Sequence, residues 1–245
     1  MTEAVIDAAR LFDAAETARP IDPLSAMRTV ELADAYAIQD LVLARRVARE
    51  ERLVGLRFDV KTATSGWLTD RMRLPLGEAA RRELLLQPRV APHLAFLIGD
   101  RLDEPGLGVP EVMAATVSVS AALEVTDSRY NSSNCTLGDV VADNCGAAYF
   151  LLGPSRPADQ LDLPRLGVLL EDGVDVVHTG AGAAVLGHPA EAVARIAGQL
   201  GARGRAIEPG MVVLSGAITE TVPLEAHSRL AATFAHLGRV ALLAS

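Results

Sequence analysis

The sequence is poor in aromatic residues and in long apolar runs. Aromatic side chains make up only 4% of the 245 residues, whereas hydrophobic residues make up 50%. The chain can therefore bury a sizeable core of Val, Leu, Ile and Ala, and this composition excludes disorder over most of its length. No run of about 18 uncharged apolar residues occurs, so we expect no membrane-spanning helix.

Cysteine and positive charge are scarce as well. Two cysteines, Cys135 and Cys145, are too few for a disulfide framework, so we expect reduced thiols in a cytoplasmic protein. The opening MTEAVIDAARLFDAAE lacks the basic segment and apolar run of a signal peptide, which agrees with that location. The 23 basic and 31 acidic residues give a net charge of −8, which argues against a nucleic-acid partner.

The first part of the chain has helical patterns. Thr2 can cap a helix that ends before Pro20. A second helix is predicted after Pro23, and its predicted apolar stripe consists of Leu32, Tyr36, Leu43 and Val47. We therefore assign residues 1–55 to a helical N-terminal region.

The remaining residues, 56–245, show short apolar runs between turn residues, which is typical of buried strands. Predicted strands cover 94–98, 117–125, 147–152 and 211–214, with a closing hairpin over 229–234 and 239–243. The Asp172-Gly173 pair predicts a further two-residue hairpin. One clear helix begins at Pro189. This order favours an α+β fold over a doubly wound sheet.

Generic catalytic motifs are missing. The sequence has no G-x-S-x-G elbow, no phosphate loop and no pair of histidines at i, i+4 spacing. Residues 101–111, with two prolines and two glycines, predict a mobile loop over a site. On composition and spacing alone, the prediction stops at a globular α+β domain.

Six ordered segments are more specific. They are AYAIQ at 35–39, QPRV at 87–90, LEVTDSRY at 123–130, VADN at 141–144, TGAGAAVLGHP at 179–189 and VVLSGAIT at 212–219. On these segments the chain resembles the 2-keto-4-pentenoate hydratase and 4-oxalocrotonate decarboxylase family of the fumarylacetoacetate hydrolase superfamily. The resemblance implies a mixed β-roll core. It also implies a small 2-oxo or 2-hydroxy acid as substrate, whose enolate is stabilised by Mg²⁺ on three acidic side chains.

The metal-binding positions depart from the family pattern. Where the family strand reads V-E-x-E-I-A-F, this chain has Ala91 and His93 in place of the two acids, and only the third acid, Glu124, remains. Mg²⁺ requires several hard oxygen ligands. The resemblance implies magnesium, but these replacements lead us to expect no cofactor. In the family's G-x-K-x-G-L-T segment, Arg57 replaces the lysine and Lys61 is an added cation.

Two hypotheses fit these departures. In the first, the chain is a metal-independent lyase or isomerase. Its predicted catalytic residues are Arg57, Lys61, His93, Glu124 and Asp143, and its predicted substrate-binding residues are Arg57, Lys61, Ser215 and Thr219. Cationic side chains would hold the substrate carboxylate and the developing enolate. Asp143 or Glu124 would be the general base, and His93 a proton shuttle.

In the second hypothesis the site has decayed, and the chain is an inactive partner of a paralogous enzyme or a binding protein. Structural roles are also open for individual residues: Arg57 in an ion pair with Asp59, Lys61 as a solvated loop charge, and His93 on a backbone carbonyl. We expect a homo-oligomer, because relatives in the family assemble.

Overall fold

The computed structural model describes residues 2–245, within which five α-helices and twelve β-strands form. The helices are α1 (Glu3–Thr17), α2 (Leu32–Val47), α3 (Val109–Ala115), α4 (Leu137–Ala142) and α5 (Pro189–Gly201). The strands are β1 (Leu53–Asp59), β2 (Thr64–Thr69), β3 (Ala79–Ala80), β4 (Arg89–Ile98), β5 (Thr116–Thr126), β6 (Ala147–Pro157), β7 (Gly167–Asp172), β8 (Asp175–Ala181), β9 (Val212–Leu214), β10 (Val222–Pro223), β11 (Arg229–Phe234) and β12 (Gly238–Ala244).

The strands form two mixed sheets. The first has the order β2-β1-β9-β4-β5-β6, with β10 paired to β4, and the second has the order β3-β12-β11-β7-β8. Parallel pairs occur between β1 and β9 and between β12 and β3, and the other pairs are antiparallel. Apolar side chains of both sheets and of α5 share one core. The predicted α+β class is thus confirmed.

The two N-terminal helices form where the sequence predicts them, but α2 buries a different face. Leu32 and Val47, at the ends of the predicted stripe, are exposed. The buried positions are Ala35, Ile38, Gln39, Val42 and Leu43. The predicted stripe was right at Leu43, which is buried, and in part at Tyr36, which is half-buried, and it was wrong at both ends. The reason is that α2 packs between α1 and α4 and therefore buries a broader face.

Both predicted hairpins are present. The turn between β7 and β8 lies one residue later than the predicted Asp172-Gly173 pair, because Asp172 ends β7 and pairs with Asp175, so Gly173 and Val174 form the two-residue loop. Gly173, the first loop residue, has a positive φ of 62°, as a turn with glycine at this position requires. Strands β11 and β12 form the closing hairpin. The proposed boundary after residue 55 falls inside β1, and the division into two regions stays a prediction.

The segment 101–111 is not a loop over the site. Leu102 is buried and pairs with Ile207, and the carbonyl of Asp103 lies against Gly201 at the end of α5. Residues 109–111 already belong to α3. The predicted position over a site was wrong, because the backbone hydrogen bonds between Leu102 and Ile207 anchor the segment at the far end of β4.

No helix within residues 2–245 combines the length and the apolar character needed to cross a bilayer. Cys135 and Cys145 are both free thiols. Burial raises the pKa of Cys145 to about 11, so this thiol stays protonated at neutral pH.

Candidate functional site

The pairing of β4 with β5 brings three sequence-predicted positions together. Ala91 lies directly opposite Glu124, and His93 lies opposite Ala122. Residues two apart on a strand share a face, as do directly paired residues on neighbouring strands. Positions 91, 93 and 124 therefore converge on one face of the sheet.

Arg57 reaches the same face from β1. It pairs with Leu214 of β9, which in turn pairs with Ala95 of β4. The close parallel approach of β1 to β9 depends on Gly55, because a Cβ at this position would collide with the carbonyl oxygen of Val212. The glycine therefore permits the strand pairing that delivers Arg57 to the site.

Arg57, Glu124 and His93 form a buried cluster. The Nε of Arg57 donates to Oε1 of Glu124 at 2.5 Å, and its Nη1 donates to the carbonyl of Cys145 at 2.9 Å. The Nε2 of His93 lies 3.1 Å from Oε2 of Glu124. That last contact departs from hydrogen-bond direction, so it is an electrostatic contact rather than a directed bond.

The charges in this cluster are strongly coupled. Burial by itself raises the pKa of Glu124, but the neighbouring Arg57 and then His93 outweigh burial and lower this pKa to about 2. Burial opposes the charge on Arg57, yet Glu124 and Asp59 raise the pKa of the guanidinium. Glu124 and Arg57 are therefore both ionised across the physiological range.

His93 is almost completely enclosed, at 1% exposure, and one of its nitrogens is unsatisfied. Its Nδ1 has no hydrogen-bond partner among residues 2–245. Buried polar atoms are nearly always hydrogen-bonded, so each exception requires an explanation. The structural alternative, in which His93 donates to a backbone carbonyl, is not found: Nδ1 has no partner, and Nε2 lies beside Glu124.

The cluster forms part of the wall of a cavity of about 430 Å³, which is large enough for a small organic acid. The titratable side chains that line this cavity are two cations, three acids and one imidazole: Arg57, Lys61, Asp59, Glu124, Glu220 and His93. Nη2 of Arg57 has no hydrogen-bond partner within residues 2–245. Arg57 can therefore still offer a donor to an anion.

Lys61 and Thr219 also line the cavity but lie near solvent. The side chain of Lys61 is 78% exposed, and its Nζ is 3.1 Å from Oε2 of Glu220. The hydroxyl of Thr219 donates to the carbonyl of Glu220 at 2.8 Å. Both residues are positioned to meet a ligand at the mouth of the cavity rather than at the buried cluster.

Asp143 and Ser215 lie outside the walls of this cavity. Asp143 accepts hydrogen bonds from Nε and from the backbone N–H of Arg129, at 2.5 and 3.0 Å, and lines a neighbouring cavity. Burial raises the pKa of Asp143 to about 6, although Arg129 opposes the rise. Ser215 is fully buried, and its Oγ accepts from the N–H of Leu94 at 3.3 Å.

These two residues act on the backbone next to the site rather than on the cavity. Asp143 begins the turn that presents the carbonyl of Cys145 to Arg57, and Ser215 holds the backbone next to His93. The sequence prediction missed Glu220 and Thr126, which line the cavity. Glu220 directly follows the VVLSGAIT segment, and this position next to a family segment could have predicted it as a cavity residue.

The residues of the cavity do not fit the magnesium that the family resemblance implies. Ala91 has no donor atom, and both oxygens of Glu124 already face the nitrogens of Arg57 and His93. No group of three or more His, Cys, Asp or Glu side chains suited to a metal occurs within residues 2–245. Mg²⁺ prefers an octahedral set of oxygens, which this cluster of nitrogens does not supply.

Comparison with known proteins gives consistent similarities in sequence. The chain is 38% identical over 205 residues to a 4-oxalocrotonate decarboxylase of Pseudomonas sp. (strain CF600), covering 78% of this chain and 77% of the relative. It is 36% identical over 238 residues to a 2-hydroxyhexa-2,4-dienoate hydratase of Comamonas testosteroni, covering 90% and 89%. No protein-family model matches.

Solved structures extend the similarity to the whole chain. The 4-oxalocrotonate decarboxylase of Pseudomonas putida G7, complexed with magnesium and adipate, matches with a TM-score of 0.96 at 30% identity over 100% of this chain and 99% of that chain. The fumarylacetoacetate hydrolase of Exiguobacterium antarcticum matches with a TM-score of 0.60 at 14% identity, over 80% of this chain and 76% of that chain. The second match shows the shared fold alone.

Proposed function

The chain belongs to the family of 4-oxalocrotonate decarboxylases and 2-hydroxypentadienoate hydratases, and from that premise we propose that it is a divergent lyase or isomerase. Its substrate is a small unsaturated 2-oxo or 2-hydroxy acid. It works without Mg²⁺, with side chains in the role of the metal. The observation that carries this proposal is the buried Arg57–Glu124–His93 cluster at the floor of the cavity.

The roles follow from charge and position. Arg57 is a fixed cation with one free N–H₂ group, suited to a carboxylate or to the oxygen of a developing enolate. Lys61 and Thr219 bind the part of the acid that lies towards the mouth. His93 moves the proton. Asp143 and Ser215 act through the backbone that they hold.

A second candidate function is a noncatalytic partner subunit or binding protein. One observation favours it: Arg57 and Lys61 are both engaged in ion pairs, and acidic side chains outnumber cationic ones in the cavity walls. Such walls attract an anion less than a pocket of free cations would. Turnover and ligand binding distinguish this candidate from the enzyme.

The experiment measures turnover of 2-hydroxypenta-2,4-dienoate in EDTA and in excess Mg²⁺, together with the thermal shift caused by 2-oxopentanoate. The proposal predicts turnover of equal rate in both conditions. Turnover only with Mg²⁺ contradicts the metal-independent part. Absence of both turnover and thermal shift contradicts the enzyme for this substrate class and favours the partner subunit.

We also propose that the protein is a cytoplasmic homo-oligomer. Exposed apolar side chains on the β7–β8 hairpin support self-association, since Val174 is 93% exposed and Val176 is 52% exposed. Multi-angle light scattering is expected to give the mass of two or more chains. A mass of one chain at micromolar concentration contradicts this expectation.

A further inference from the structure

We propose that Glu124 is a positioning residue rather than the general base, and that Nδ1 of His93 is the atom that exchanges a proton with the bound acid. This inference rests on the proposed function and assigns the acid–base role within it. It replaces the two candidate bases, Glu124 and Asp143, with a carboxylate–histidine pair in which only the imidazole touches substrate.

Glu124 is unsuited to be the base because of its surroundings. It is 1% exposed, with Oε1 bonded to Arg57 and Oε2 facing His93. An ionised carboxylate that is held by a permanent cation is weakly basic, and its lowered pKa agrees with this. Asp143 is held by Arg129 and lies outside the cavity.

His93 has the opposite arrangement: one nitrogen lies beside a carboxylate, and the other has no partner. Nε2 lies beside the Glu124 carboxylate, so the proton of the neutral ring belongs on Nε2. Nδ1 is then the acceptor. This atom is itself buried and has no partner among residues 2–245, and the His93 side chain lines the cavity. Buried nitrogens are nearly always hydrogen-bonded, so an unpaired one in a cavity wall points to a bound partner.

The contact between His93 and Glu124 is 3.1 Å long and off-direction. Hydrogen bonds of acid–base groups are often poorly aligned without substrate and tighten in the complex. Arg57 binds Oε1 of Glu124 and thereby fixes the carboxylate, so that Oε2 stays beside the imidazole of His93. A carboxylate that holds one imidazole nitrogen fixes both the tautomer and the ring orientation.

The proton transfer balances without an added reagent. Nδ1 accepts the proton of the 2-hydroxy group as the enol O–H bond breaks, which leaves a dienolate with its negative charge on oxygen. The resulting imidazolium is stabilised by Glu124. It then gives the proton to a carbon of the dienolate, where a C–H bond forms as the oxygen's electron pair closes the C=O bond of the 2-oxo group. Nη2 of Arg57 stabilises the negative charge on the oxygen between the two transfers.

The test combines kinetics and ¹⁵N NMR of histidine-labelled protein. For 2-hydroxypenta-2,4-dienoate, His93→Gln is expected to lower kcat about 10²–10⁴-fold with little change in KM. Glu124→Gln is expected to lower kcat about 10–100-fold, because the imidazole loses the carboxylate that orients it. His178→Gln, outside the cavity walls, is the matched control and should stay within about twofold of wild type.

The NMR spectrum gives a readout that does not depend on turnover. In the wild type the His93 ring should be the Nε2–H tautomer, and the Nδ1 resonance should shift on addition of 2-oxopentanoate. In Glu124→Gln the tautomer preference should weaken. This measurement also covers the case in which His93→Gln fails to fold.

The outcomes separate this inference from the proposed function. The inference is overturned if the His93→Gln variant turns over the dienoate as fast as wild type, or if the neutral His93 ring of wild type carries its proton on Nδ1. Either result leaves the proposed function standing. Wild-type protein that neither turns over the dienoate nor binds 2-oxopentanoate overturns both.

Discussion

Arg57 is the residue on which the charge balance of the buried cluster depends. Removal of one partner from a buried ion pair leaves an uncompensated charge and typically costs about 3–5 kcal/mol. We therefore expect Arg57→Met to lose stability in that range, since the Glu124 carboxylate would remain with only His93 beside it. Urea unfolding measures the change.

The matched control for that prediction is the double variant Arg57→Met/Glu124→Gln, which removes both charges. It should be more stable than Arg57→Met alone by roughly 2 kcal/mol, because no ionised carboxylate is left unpaired. If the second substitution makes the protein less stable still, the pair does not carry the electrostatics that we assign to it.

The lowered pKa of Glu124 also predicts a pH dependence of stability. The folded-state pKa is about 2, below the ordinary value of 4.5. A depressed carboxyl pKa stabilises the fold above pH 4.5, and the contribution is lost as the pH falls from 4.5 towards 2, because the unfolded chain binds the proton first. The full contribution is about 3 kcal/mol.

The measurement is the free energy of unfolding between pH 6 and pH 3 for wild type and Glu124→Gln. Wild type should lose stability more steeply on acidification, so the difference between the two proteins should shrink at low pH. Parallel curves would show that Glu124 is not held ionised by its neighbours.

Residue identity in the site was only partly predictable from the sequence. The resemblance to the family implies that acids at positions 91 and 93 are replaced and that Glu124 is retained. The bond between Arg57 and Glu124 could not be predicted from the sequence, because it joins residues 67 positions apart on strands β1 and β5 of the first sheet. Asp143 and Ser215 match family segments equally well, yet their side chains face other parts of the protein.

The pairing of strands β1 and β9 positions Arg57 in the wall of the cavity. Gly55 allows their close approach, and we expect Gly55→Ala to destabilise the protein by about 1–3 kcal/mol, since the added methyl would collide with Val212. Gly167→Ala is the matched control, because this strand glycine has open space around it and should change stability by less than about 1 kcal/mol.

Thermal and urea unfolding measure both glycine variants, and binding of 2-oxopentanoate reports on the site. Gly55→Ala should also weaken this binding, because Arg57 moves with β1. Equal stability of the two variants would mean that the β1–β9 contact is looser than the structure has it.

Elements with local signals were predictable, whereas those set by tertiary packing were not. The turn at Gly173 and the start of α5 depend on local chemistry. At the start of α5, Nδ1 of His188 accepts from the N–H of Ala190. The buried face of α2 and the anchoring of residues 101–111 depend on distant partners. A pattern within one segment cannot specify them.

The chain keeps the fold of its family, and it departs from the family at a few positions in the cavity. The structure matches a magnesium-bound decarboxylase with a TM-score of 0.96, while the side chains at positions 91 and 93 offer no oxygen ligand. We propose that nitrogen-bearing side chains stabilise the enolate here, a role for which relatives in this family are expected to use a divalent cation.

Titration calorimetry with Mg²⁺ measures metal binding by wild type and by the double variant Ala91→Glu/His93→Glu. We predict no heat of Mg²⁺ binding for wild type up to millimolar concentration and binding by the double variant, whose three carboxylates restore an oxygen-rich site. Tight Mg²⁺ binding by the wild-type protein would show that the cation, and not the nitrogen-bearing side chains alone, still serves this site.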